Sequence, residues 1–145
     1  MNTRALKTIF TAMILLVTTT TSFAQKFAYK AIKDLVSDEK VDYRFFFDIK
    51  KKTLKIEFVD DGTEELYKIK DYYVTKDEEN DDIYPEGVKF TEYLIKVEDR
   101  EDESIGFGSF YLNIPNQNNY VPTLVVYYNR IIMDPFYFIV EKINK

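Results

Sequence analysis

An all-β fold, a small antiparallel meander β-barrel with a β-sandwich as the second arrangement, is what this sequence predicts. Three observations carry it. From Asp42 onward apolar side chains recur at every second residue, the period of a strand. Turn-forming clusters separate these runs at intervals of about 8 to 15 residues, as in sandwiches and barrels. Tyrosine and phenylalanine, 12 of each in 145 residues, favour pleated, half-buried surfaces.

The first 24 residues read as an export signal. Arg4 and Lys7 precede an apolar stretch from Ile9 to Val17, and Ser22-Phe23-Ala24 places small residues before a cut at Gln25. The apolar stretch is shorter than the ~20 residues that cross a bilayer. The expected mature chain is therefore one β domain, residues 25–145, exported to the periplasm or the extracellular medium without a membrane anchor.

Phe27 to Val36 reads two ways. Ala28, Ala31, Ile32 and Leu35 follow helical spacing while Phe27 and Tyr29 suit a strand, so a short helix or an irregular first strand is expected. Next, Tyr43, Phe45, Phe47 and Ile49 share one face, as do Leu54, Ile56 and Phe58 after Lys50-Lys51-Lys52. Two such runs joined by a polar tip form an antiparallel hairpin. Asp60-Asp61-Gly62 supplies turn chemistry, and Leu66 to Val74 is a third strand. Thr75 to Gly87 is polar and reads as a long exposed loop. In Val88 to Val97, Val88 and Phe90 fall on one parity and Tyr93, Ile95 and Val97 on the other, which predicts a bulge near Thr91-Glu92. The charged residues 98–104 turn the chain into Ile105 to Ile114, where Gly106 and Gly108 suggest a sharp bend or a close approach. Thr123 to Tyr128 and Phe136 to Glu141, apolar on both faces, complete about seven well-covered strands.

The inventory excludes much chemistry. There is no histidine and no cysteine, so Ser-His-Asp and Cys-His nucleophilic sites, disulfides and the usual zinc ligand sets are absent. The formal charge of −5 becomes −7 when Arg4 and Lys7 leave with the signal, and an acidic surface repels nucleic acid. Lys50 to Lys52, with Lys55 nearby, is the one basic cluster and reads as a solvated hairpin tip. The acidic runs, Asp77 to Asp82 foremost, lack the alternating spacing of a calcium loop and read as solubilising turns. Glu92 and Asp48, within apolar strands, read as solvent-facing or paired with a base such as Arg44 rather than as a glycosidase pair. The expectation is a non-enzyme without a cofactor or metal.

The aromatics remain. Tyrosine joins an apolar body to a polar tip and suits pocket walls and recognition surfaces. Tyr93, Tyr111, Tyr127 and Phe138 are the candidate lining residues for a small apolar ligand. The alternative is surface recognition of a protein or glycan through the Tyr-rich strands and the loop from Asn116 to Tyr120. In Tyr43 to Phe58 and Thr123 to Lys142 the chain resembles small exported bacterial β-rich proteins. That resemblance implies a lipocalin-like β fold and brings no catalytic residues.

Overall fold

The structure, a computed structural model, describes residues 26–100, 106–130 and 133–144; the export signal expected over residues 1–24 lies outside them. Eight strands follow in order: β1 (Lys26–Asp34), β2 (Lys40–Asp48), β3 (Thr53–Phe58), β4 (Thr63–Glu78), β5 (Phe90–Val97), β6 (Phe107–Pro115), β7 (Thr123–Tyr128) and β8 (Phe136–Lys142). Each pairs antiparallel with its neighbours in sequence, and β8 pairs with β1 to close the barrel. The expected meander barrel is thus the observed fold.

The alternating residues take the predicted sides. Phe27, Tyr29 and Ala31 of β1 lie opposite Phe47, Phe45 and Tyr43 of β2, and Phe45 and Phe47 oppose Ile56 and Leu54 of β3. These side chains belong to the main core, with Tyr67, Ile69, Ile95, Phe110, Leu112, Leu124, Val126, Phe138 and Val140. The waist of the barrel is solid. Phe110 meets Phe45 and Phe47 edge-on at centroid distances of 6.2 and 6.4 Å. An eight-stranded barrel is just wide enough for side chains to fill, and this one is filled.

Turn chemistry fixes the hairpins. The Asp48 carboxylate accepts the Lys51 N–H at 3.0 Å, and Lys52 takes a positive φ of 55°, so Lys50 to Lys52 is the β2–β3 tip. Asp61 accepts the Thr63 N–H at 2.9 Å beside Gly62 at φ 71°.

The described strands number eight rather than seven, because Lys26–Asp34 is a strand, β1, and not a helix. Its inward faces are Phe27, Tyr29 and Ala31, and the shift of register between Ala31 and Lys33 blurs the alternation in sequence. The third predicted strand is the middle of the 16-residue β4, whose first half pairs with β3 and second half with β5.

The bulge expected near Thr91-Glu92 is carried by the facing strand, β4, and not by β5 itself. Against β6, β5 runs in unbroken register from Phe90↔Pro115 to Lys96↔Ser109. The irregularities lie on β4, between Ile69 and Asp71 and between Thr75 and Glu78, where Asp77 has a φ of 56°. Phe90 changes parity because it is an outer-face residue with its own cover. The segment 79–89 folds back over the barrel and buries Phe90, Val88 and Tyr84 in a satellite core with Ile83 and Tyr120 against it. The Tyr84 hydroxyl lies 2.8 Å from the Val121 carbonyl, 3.2 Å from the Asn113 carbonyl and 3.3 Å from the Thr123 hydroxyl. The expected exposed loop is therefore a strap held by a buried tyrosine.

Candidate functional site

The packed waist leaves a cavity at each end of the barrel. One rim carries the start of β1, the end of β8 and the β2–β3 tip. Here a cavity of about 170 Å³ is lined by Lys26, Phe27, Tyr29, Tyr93, Leu112, Ile114 and Lys142. The other rim has a cavity of about 110 Å³ with a nearly all-apolar wall, including Phe58, Phe107, Phe136 and Phe138, and Asp34 at its edge.

The larger cavity combines ring faces with hydroxyls. Phe27 stacks on Phe47 at 4.8 Å and touches Tyr93 at 5.8 Å, so its position is set by β2 and β5 together. Tyr72, from β4, stacks on Tyr93 at 6.4 Å, and its buried hydroxyl has no hydrogen-bond partner among the described residues. Burial, and then the neighbouring Tyr93 phenol, raise the Tyr29 pKa and push that of Tyr72 up to about 12. Both phenols are therefore protonated at neutral pH. They can donate and accept hydrogen bonds, and they are neither bases nor nucleophiles. At the mouth, Lys26 pairs with Asp48 at 3.5 Å, while Lys142 makes no ion pair among the described residues.

The four candidate residues do not converge on one pocket. Tyr93 lines the larger cavity and Phe138 the smaller one at the far end. Tyr111 and Tyr127 lie on the outer face of β6 and β7, opposite in parity to the inward Leu112 and Val126. There they touch edge to face at 5.3 Å over the buried Val125. Burial raises both of their pKa values, with Glu92 adding to Tyr111 and Tyr137 to Tyr127. Tyr111 and Tyr127 thus form an outer aromatic patch, separate from either cavity.

Sequence reasoning missed Phe27, Tyr29, Lys26 and Lys142 at the larger cavity. The strand-like alternation of Phe27, Tyr29 and Ala31 was the available signal, masked by the equally good helical spacing of the alanines. The two carboxylates embedded in strands are also placed. Asp48 and Glu92 sit on the outer faces of β2 and β5, three strands apart in barrel order, and do not face one another. The Lys51 N–H first, and then the Lys26 ammonium, hold the Asp48 carboxyl below its usual range, whereas burial and then Glu78 raise that of Glu92. In the acidic segment, Asp77 accepts a hydrogen bond from Asn116 at 3.0 Å, and Asn80 accepts one from the Asp82 N–H at 2.9 Å. Among the described residues no three acidic side chains gather as a metal site would require.

Fold and cavities together define an up-and-down, eight-stranded closed barrel with a filled waist and an amphipathic cavity at one mouth. No family model, curated protein or solved structure matches the chain.

Proposed function

We propose that this protein is an exported, non-enzymatic barrel that binds a small apolar ligand in the cavity lined by Phe27, Tyr29, Tyr93, Leu112 and Ile114. The observation that carries the reading is the cavity of about 170 Å³ walled by the rings of Phe27, Tyr29 and Tyr93. A void of ~150 Å³ lined by apolar side chains accepts benzene, whereas drug-sized ligands need ~300 Å³ or more. The ligand is thus a single ring or a short branched chain, carrying one polar group for the tyrosine cluster.

Phenol serves as the probe. In ligand-observed NMR it should show saturable binding, and Ile114→Phe, which fills the cavity from β6, should abolish that binding while leaving the circular dichroism spectrum unchanged. Phenol binding that survives Ile114→Phe, or that never saturates with the original chain, rejects the reading.

A second reading rests on the outer patch. Tyr127 is 41% exposed and Tyr73 53% exposed, and both belong to the outer face formed by β4 to β7. These tyrosines suit recognition of a protein partner. Tyr127→Ala would then abolish the association without lowering the unfolding midpoint.

A further inference from the structure

Beside the β2–β3 tip the outer face carries a second concavity, which shares Lys26, Phe27 and Lys142 with the end cavity. On the outer face of the barrel, Ala28, Phe46, Lys55 and Leu66 stand in one cross-strand row through the pairings Ala28↔Phe46, Phe46↔Lys55 and Lys55↔Leu66. The row floors a groove of about 550 Å³ whose lining includes Lys26, Lys51, Lys55 and Lys142. Asp48 is the one carboxylate in that lining, and it is already engaged by the Lys51 N–H at 3.0 Å and the Lys26 ammonium at 3.5 Å. A chain with a formal charge of −5 thus places four lysines around an apolar trough: Lys26 pairs with Asp48 and Lys55 with Glu57 at 2.8 Å, while Lys51 and Lys142 make no ion pair among the described residues.

We propose that this groove binds a single-chain anionic amphiphile, with its carboxylate held by Lys51 and Lys142 and its hydrocarbon chain laid along Phe46 and Leu66. Charge complementarity fixes the sign of the head group. The volume falls within the ~300–1,000 Å³ of small-molecule sites. Concavity favours a free molecule over a bilayer surface. The Lys55 ammonium lies 4.8 Å from the centre of the Phe46 ring and roofs the apolar floor. A flat membrane cannot reach beneath it, whereas a lysine stem can swing aside and close over one acyl chain.

The test is calorimetric titration of the full-length chain with dodecanoate below its micelle concentration. Dodecanoate should bind, more weakly as salt rises, and dodecyltrimethylammonium of equal chain length should not. The double substitution Lys51→Gln/Lys142→Gln should weaken binding by about tenfold, and Leu66→Asn by a similar factor. Leu66 is 65% exposed, so its replacement leaves the core intact. Ile114→Phe, in the end cavity, should leave dodecanoate affinity unchanged. This separates failure of the groove from failure of the phenol site. Equal affinity for the cationic amphiphile, indifference to the groove substitutions, loss of binding in Ile114→Phe, or adsorption to phosphatidylglycerol vesicles without binding of the monomer would each overturn the proposal.

Discussion

Tyr72 shows how one atom divides stability from binding. A buried hydroxyl without a partner costs about 1–3 kcal/mol of desolvation, so removing it relieves the fold. Tyr72→Phe is expected to match the original chain in urea unfolding or exceed it by about 1 kcal/mol. The same substitution should leave phenol binding in NMR titration unchanged, because Tyr72 stacks on Tyr93 and does not itself line the cavity. Titration adds a second expectation. The folded protein keeps the Tyr72 proton up to about pH 12, whereas the unfolded chain releases it near 10.0. Its contribution to stability is therefore intact below pH 10.0 and is lost as pH rises toward 12. Urea midpoints measured across that interval should fall, and should fall less steeply in Tyr72→Phe.

Two local devices hold the strands in register. Gly108 sits at the β6 irregularity between Phe107 and Ser109, where a Cβ would lie 2.9 Å from the Asn129 Cα. The neighbouring Asn129 N–H donates to the Gly106 carbonyl at 2.8 Å. The obstacle is backbone and cannot rotate away, so Gly108→Ala should lower stability by about 1–3 kcal/mol in urea unfolding. The strap over the outer face depends on Tyr84. Tyr84→Phe should cost about 1–2 kcal/mol and accelerate hydrogen exchange at Val88, whose N–H is bonded to Pro85 within the strap. In sequence, the close approach at Gly108 was legible, because a glycine inside a strand needs a reason. The strap was not. Tyr84 lies among DEENDD and Pro85-Glu86-Gly87, a composition that signals exposure, and its partners Asn113, Val121 and Thr123 are distant in the chain.

Across the molecule, the meander was legible because β2, β3 and the first half of β4 bury one face and advertise it with period two. Membership of the cavity was not, because β5, β6 and β7 carry large apolar side chains on both faces. Tyr93 and Tyr111 look alike in sequence, and only the register of the closed sheet puts one inside and the other outside. Closure also governs solubility. No strand of the described ring lacks a neighbour on either side, so no row of backbone groups is left to template aggregation. A chain ending after Pro135 lacks β8 and exposes the edges of β1 and β7. It should lose cooperative unfolding and sediment as aggregates.

The pairing of β8 with β1 also sets a timetable. Tyr29 meets Lys142, so the seam joins the first and the last of the eight described strands. Such long-range pairing slows folding, since the intervening chain must be gathered before the contact yields anything. An unfinished polypeptide has no way to seal itself. It stays an open ribbon, its two edges unpaired, until β8 is in place.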